Sequence, residues 1–229
     1  MSDCWAIIPA AGVGARMESD RPKQYLPLAG RTVIEQSLDA VLNHPAVRGA
    51  VVAISESDAY WSELQYQHTK AVQVAPGGAE RCHSVLSALR VLKETADETD
   101  WVLVHDAARP CLRQEDISRL IMACQNHPVG GILAVPVKDT IKHASQNGVI
   151  SHTVDRAALW HAQTPQMFRL GALCSALERA LEGAAQITDE ASAMEYTGQY
   201  PLLIEGHADN LKITRPEDLP LAEFYFSRL

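Results

Sequence analysis

The sequence predicts an α/β fold, a doubly wound, mostly parallel sheet carrying a protruding β-hairpin arm, and three observations carry that prediction. Strand-length apolar runs with little alternation, such as Ala50-Val51-Val52-Ala53-Ile54, mark strands covered on both faces. Segments with helical spacing separate those runs, which is the rhythm of parallel βαβ units. The rhythm then breaks at Asn147-Gly148, a hairpin-turn dipeptide between short polar-apolar stretches. With 229 residues and 47% hydrophobic content, the whole span 1–229 reads as one domain with a sizeable core.

In chain order, the apolar run Cys4 to Ile8 is the first strand, and Pro9-Ala10-Ala11-Gly12-Val13-Gly14 is turn material directly after it. Val33, Ser37, Leu38, Val41 and Leu42 share a helical face, and the strand Ala50 to Ile54 follows. The pattern repeats with a strand from Ala71 to Val74, the loop Pro76-Gly77-Gly78, a helix bearing Val85, Leu86, Leu89 and Leu92, and a strand from Trp101 to Val104. A helix with Ile117, Leu120, Ile121 and Cys124 leads to a strand from Gly131 to Val135. Thr140-Ile141-Lys142 and Val149 to Val154 then form the hairpin, which lacks the apolar residues for a core of its own. A two-stranded ribbon is marginal alone, so Val137 to Asp155 is expected to pack against something else, most economically a second copy of the chain. Helices from Arg169 to Glu182 and around Ala191 to Tyr196 follow, with strands near Leu202 to Ile204 and Leu211 to Ile213. Thr214-x-x-Glu217 with Pro216 between them predicts the start of a final helix running toward Phe224.

A formal net charge of −8 argues against general nucleic-acid binding, which needs a dense field of Lys and Arg. A small phosphorylated ligand needs only a few placed cations, and these fit in a pocket of an acidic protein. No basic n-region precedes the first apolar run and no apolar stretch exceeds strand length, so neither a signal peptide nor a membrane span is expected. Five cysteines, odd in number and without a C-x-x-C pair, point to a reducing cytoplasm rather than to a disulfide framework.

Chemistry is expected where strands end. The loop Pro9 to Met17 places small residues for close backbone approach to a phosphate or base. Met17 stands at the third glycine position of the dinucleotide fingerprint, and the G-x-x-x-x-G-K-[ST] pattern is absent. Arg16 and Lys23 add two cations suited to a triphosphate whose charge builds as pyrophosphate leaves. The second glycine loop, Gly77 to Ser84, opens a helix, so that Ser84 or the backbone can read a nucleobase edge. His105-Asp106-Ala107-Ala108-Arg109-Pro110 ends another strand; Asp106 suits Mg²⁺, which prefers few carboxylates plus phosphate oxygens, and His105 reads as structural. Nine histidines show no metal-ligand spacing, and no Ser/His/Asp or Cys/His set can be paired from sequence.

Taken together, these stretches resemble one family. Pro9-Ala10-Ala11-Gly12-x-Gly14-x-Arg16-Met17 with Lys23-Gln24-Tyr25, Gly77-Gly78-x-x-Arg81-x-x-Ser84-Val85, His105 to Pro110, and Lys138-Asp139-Thr140 are similar to the 2-C-methyl-D-erythritol 4-phosphate cytidylyltransferases. Arg156, Leu159-Trp160-x-Ala162-Gln163-Thr164-Pro165-Gln166, Thr188-Asp189-Glu190 and Ala208 to Thr214 extend the resemblance over nearly the whole chain. Each motif alone is modest; the ordered set is specific.

The resemblance implies a Rossmann-like nucleotidyltransferase fold and a homodimer whose arms, about 136–159, cross to complete the partner's site. It implies CTP and a divalent cation, Mg²⁺ first. Pro9, Ala10, Ala11, Gly12, Gly14, Gly78, Ala79 and Ser84 would surround the nucleotide, with Asp106 and Ala107 near ribose and metal. Arg109, Thr140, Arg156, Thr164, Thr188 and Asp209 would hold the sugar phosphate, Thr140 and Arg156 coming from the other subunit. Arg16, Lys23 and Lys212 would be the catalytic cations. The implied reaction joins CMP from CTP to 2-C-methyl-D-erythritol 4-phosphate, giving 4-CDP-2-C-methyl-D-erythritol and pyrophosphate, a step of isoprenoid precursor biosynthesis. Two rivals stand beside it: a cytidylyltransferase for another polyol phosphate such as ribitol 5-phosphate, and a non-catalytic nucleotide-binding protein on the same fold.

Overall fold

The structure, a computed structural model, describes residues 3–12, 17 and 20–228, so that Gly14 and Arg16 of the first loop lie outside the described residues. Two short strands, β2 (Pro27–Leu28) and β3 (Arg31–Thr32), pair with each other apart from the main sheet, and α2 (Trp61–Leu64) is a single turn; among the described residues the main sheet has seven strands. In chain order they are β1 (Cys4–Pro9), β4 (Val47–Ile54), β5 (Ala71–Pro76), β6 (Trp101–Val104), β7 (Gly130–Pro136), β10 (Trp160–Arg169) and β11 (Leu202–Glu205). Their order across the sheet is β11-β7-β10-β6-β1-β4-β5. Every pair is parallel except those made by β10, which runs antiparallel to both β6 and β7.

Alternation along the strands explains the two helical layers. Ile7, Val51, Ala53, Val102 and Val104 pack on one face against α3 (Arg81–Leu92), α5 (Leu170–Glu182) and α6 (Glu190–Tyr196). Ala6, Ile8, Ala50, Val52 and Leu103 pack on the other against α1 (Val33–Leu42) and α4 (Gln114–Gln125). A strand buried on both faces has no reason to alternate in polarity, which is why Ala50 to Ile54 reads as a continuous apolar run. α1 starts on a capping box, with Thr32 accepting from the Glu35 backbone and Glu35 reaching back to Thr32.

From β1 the chain winds outward to β4 and β5, then crosses back to β6 on the other side of β1. The crevice at the C-terminal ends of β1 and β6 is therefore the switch point where open α/β sheets bind ligands. A third apolar cluster, including Leu28, Val33, Cys111, Ile213 and Ala222, attaches α7 (Asp218–Phe226) to the body.

The expected hairpin is present as β8 (Ile141–Ala144) and β9 (Ile150–Val154), which pair only with each other among the described strands. Gly148 takes φ +75°, the left-handed conformation its turn requires. Val149 and Ile150 are mostly exposed, as expected of a ribbon without a core.

Three local expectations are corrected. Leu211 to Ile213 is not a strand: the segment crosses the C-terminal edge of the sheet, and Ile213 donates a single backbone bond to Ala108 instead of joining a ladder. The final helix begins at Asp218, not Thr214, because the Asp218 carboxylate accepts the backbone N–H groups of Thr214 and Arg215 and holds that stretch as a turn. The antiparallel strand β10 was unforeseen, its residues standing out as a motif rather than as a strand. A register shift against β7 between Ala162 and Gln166 interrupts its pairing and explains why the segment lacks a clean strand pattern.

Candidate active site

The first two glycine loops meet at the switch point. A Cβ on Gly77 would stand 2.3 Å from that of Ala11, so a glycine at 77 is what lets the loops after β1 and β5 touch. Gln24 stitches the first loop from within, donating to the carbonyls of Ala10 (2.7 Å) and Gly12 (3.1 Å). Ser84 shapes the second loop: its hydroxyl accepts the Gly78 N–H at 3.0 Å and lies 3.3 Å from the Glu80 carbonyl, to which it donates. That hydroxyl is thereby engaged with the protein's own backbone, leaving loop backbone groups as the freer readers of a base edge.

Between these loops and the end of β6 lies a cleft. Pro9, Ala10, Ala11 and Gly12 form one wall, Gly78, Ala79 and Ser84 another, and Asp106 and Ala107 the floor, with Lys23 and Lys212 at the rim. Lys23 donates to the Ile213 carbonyl at 2.9 Å, which ties the short helical turn Lys23–Tyr25 to the segment carrying Lys212. A second cleft adjoins the first, lined by Arg109, Thr164, Gln166, Thr188 and Asp189. The two share one wall, made by Arg81, Asp106 and Lys212.

Asp106 is the hub of that wall. One carboxylate oxygen accepts from Arg81 Nε at 2.9 Å, the other pairs with Lys212 Nζ at 2.8 Å, and Arg109 Nε lies 3.5 Å away. Burial alone pushes the carboxyl up, but the charges of Arg81, Lys212 and Arg109 outweigh it and hold the group well below the usual carboxylate range. Arg81 in turn spans to Glu190, its two terminal nitrogens donating at 2.6 and 3.0 Å to the two carboxylate oxygens. Burial pulls the Arg81 guanidinium down, yet Glu190 and Asp106 prevail and lock it in the charged form. Glu190 is 1% exposed, and burial raises its carboxyl against the pull of Arg81.

The register shift in β10 builds the second cleft. It turns Gln163, Thr164 and Gln166 into buried polar positions, and Gln166 then fastens α6 by donating to Asp189 at 2.9 Å and accepting from the Ala191 N–H at 2.9 Å. Asp189 caps α6 in a capping box with Ser192, which sets Thr188 on the cleft and Glu190 behind it. Thr164 Oγ1 accepts from the Asp106 N–H at 3.0 Å and lies 3.1 Å from His105 Nδ1. His105 is wholly buried, and burial lowers its pKa to about 4, which matches its structural reading.

Most of the expected residues are thus brought together, and the exceptions are specific. Asp209 is not on the lining: Arg113 grips one of its oxygens. Thr140 and Arg156 lie at the hairpin arm, outside both clefts of their own chain. Arg81, Gln24 and Glu190 were not singled out from sequence, although each sits inside a family motif; for Arg81 its place where a glycine loop opens a helix, and for Glu190 its place beside a helix cap, is a usable signal.

Among the described residues Asp106 is the only carboxylate on the shared wall, and both its oxygens already accept from cations, so the protein offers a hard divalent ion one oxygen once Lys212 is drawn away. That donor set suits Mg²⁺ held largely by a triphosphate. Glu80, Cys82 and His83 also place ligand atoms within 4.8 Å of one another, but thiol and imidazole suit a softer metal than Mg²⁺.

A doubly wound sheet with two glycine loops and a cationic wall between two clefts defines an α/β protein of the nucleotidyltransferase class. The sequence pattern of the 2-C-methyl-D-erythritol 4-phosphate cytidylyltransferases matches residues 4–228. The chain belongs to this family. A Pseudomonas aeruginosa (strain UCBPP-PA14) protein of that name is 59% identical over 216 residues, 94% of this chain and 92% of its own. Its Vibrio vulnificus (strain CMCP6) namesake is 56% identical over 229 residues, 100% of this chain and 96% of its own. The crystal structure of the Francisella tularensis 2-C-methyl-D-erythritol 4-phosphate cytidylyltransferase superposes with a TM-score of 0.85 at 38% identity, covering 98% of this chain and 100% of that one. Among the described residues no helix is long and apolar enough to cross a membrane.

Proposed function

We propose that the chain transfers CMP from CTP to 2-C-methyl-D-erythritol 4-phosphate, forming 4-CDP-2-C-methyl-D-erythritol and pyrophosphate. The observation that carries this reading is the shared wall of Arg81, Asp106 and Lys212, which puts a glycine-loop cleft and a polar acceptor cleft on either side of the same charges. CTP enters the first cleft with its base against the loops at Ala10–Gly12 and Gly78–Ala79. The sugar phosphate enters the second against Arg109, Thr164 and Thr188.

An oxygen of the acceptor phosphate attacks the α-phosphorus of CTP in line; the new O–P bond forms as the bond to pyrophosphate breaks, and pyrophosphate carries away the electron pair. The nucleophile is already anionic, so no general base and no covalent enzyme intermediate are needed. Catalysis rests on charge stabilisation by Arg16, Lys23 and Lys212, with Asp106 handing Lys212 from its own carboxylate to phosphate oxygen. Asp106 would hold a divalent ion together with the triphosphate, and the ion would supply further charge neutralisation on the phosphates.

The active species is a homodimer. Its support is the arm at about 136–159, a ribbon with exposed Val149 and Ile150 and, among the described strands, no partner in the main sheet, and the placement of Thr140 and Arg156 on that arm. A reducing cytoplasm suits the five cysteines, all buried free thiols. The test is pyrophosphate release from CTP and Mg²⁺ with either 2-C-methyl-D-erythritol 4-phosphate or ribitol 5-phosphate. Turnover with the first and little with the second is expected; preference for ribitol 5-phosphate would reassign the acceptor, and CTP binding without pyrophosphate release would refute catalysis.

A further inference from the structure

We infer that Glu190 is a positioning residue for the reaction, acting through Arg81 to hold Asp106 in place while Lys212 moves to the substrate phosphates. This inference rests on the active-site reading above. Glu190 touches neither cleft, being 1% exposed behind the wall, and yet it takes both terminal nitrogens of an arginine that lines both clefts.

The arrangement divides the work of one guanidinium. Arg81 can present several donors, and any not otherwise engaged would be drawn to a triphosphate or to the second oxygen of Asp106. Glu190 takes one N–H of each Nη at 2.6 and 3.0 Å, which fixes the plane of the guanidinium and turns Nε, at 2.9 Å, toward one oxygen of Asp106. The other oxygen is thereby kept for Lys212, at 2.8 Å. When Lys212 is recruited by substrate phosphate, Asp106 retains a fixed cation and an open oxygen instead of being captured by a swinging arginine.

Local structure makes the brace rigid. Glu190 is the first residue of α6, whose start is set by the Asp189–Ser192 capping box and fastened to β10 by Gln166. The same turn carries Thr188 on the acceptor cleft, so ordering of that cleft and orientation of Arg81 are mechanically linked. Charge accounting points the same way: Arg81, Arg109 and Lys212 face Asp106 and Glu190, and removing the Glu190 charge leaves three cations around one buried carboxylate.

The test is a double-mutant cycle of Glu190→Gln and Arg81→Lys, reading kcat and both KM values by pyrophosphate release, normalised to folded protein by circular dichroism. Lysine keeps a charge for Asp106 but cannot span both carboxylates. Each single change is expected to lower kcat by about 10- to 100-fold, the usual scale for partners that orient a reacting group, with KM for CTP little altered. The double change is expected to be no worse than the more damaging single one, since both break the same brace. A wild-type kcat in Glu190→Gln, a loss confined to KM, or additive losses would overturn the inference, because a purely structural carboxylate lowers stability and not turnover per folded molecule. Should Glu190→Gln fail to fold, Arg81→Lys alone decides: reduced kcat at unchanged KM supports the brace and unchanged kcat refutes it. Wild-type protein without turnover would instead sink the underlying active-site reading.

Discussion

Acidification should unfold this protein partly through His105, and the hydrogen bonds around that ring define how. Nε2 lies 2.9 Å from the Arg109 carbonyl, which can only accept, so Nε2 carries the proton. In the neutral ring Nδ1 must then accept, and it does so from the Thr164 hydroxyl at 3.1 Å, while Thr164 Oγ1 accepts the Asp106 N–H at 3.0 Å. A second proton on Nδ1 would place a charge in a wholly buried position, and that burial, helped by the nearby Arg109 charge and only partly offset by the Arg109 carbonyl and Asp106, accounts for the depression to about 4. The unfolded chain's histidine takes up its proton near pH 6.5 and the native one only near 4. The unfolded state therefore binds more protons in that window, and stability contributed by neutral His105 is present above it and lost as pH falls through it. Integrating between about pH 7 and about pH 5 gives a loss of roughly 2 kcal/mol from this one group. Urea unfolding of wild type and His105→Gln, followed by tryptophan fluorescence at matched concentration, isolates it, since other titrating groups cancel in the difference. The wild-type advantage should shrink by about 2 kcal/mol across that interval; parallel stability curves would refute the tautomer and burial reasoning together.

Other expectations follow from the same geometry. Lys23→Ala should lower kcat by about 10²-fold or more, the scale of losing one donor to developing charge, and near-normal turnover in the pyrophosphate assay would exclude that role. Arg156→Ala and Lys23→Ala should each be nearly inactive alone but recover about a quarter of wild-type activity when unfolded and refolded as an equal mixture, because half of the dimers would then carry one intact site. Absence of recovery would show that the arm serves its own chain. Gly77→Ala should weaken CTP binding and lower stability by about 1–3 kcal/mol, read by calorimetry and thermal unfolding, as its methyl group would collide with Ala11 and force the two loops apart.

Much of the fold was legible because its signals are local. Runs such as Ala50 to Ile54 announce strands buried on two faces, the spacing of Ile117, Leu120 and Cys124 announces a helix, and a glycine pair after a strand announces a loop that must approach something closely. β10 escaped because its pairing is interrupted where Gln163 and Thr164 turn into the site, and Leu211 to Ile213 was misread because an apolar triplet looks the same whether or not a sheet edge is open to it. For the site, Lys23, Asp106, Arg109 and Lys212 were recognisable from motif and charge, and most of the small loop residues from their glycine context.

The sequence by itself determined the alternation of buried strands and amphipathic helices, the coreless ribbon and the inventory of charges, since each depends on residues close together in the chain. Only the tertiary structure decided which charges meet. Arg81 and Glu190 stand 109 positions apart, and their pairing on Asp106 exists because the crossover after β5 returns the chain beside β1 while β10 brings α6 to the same edge. Coulomb attraction and hydrogen bonding act through distance in space, and sequence separation carries no record of that distance until the chain is folded.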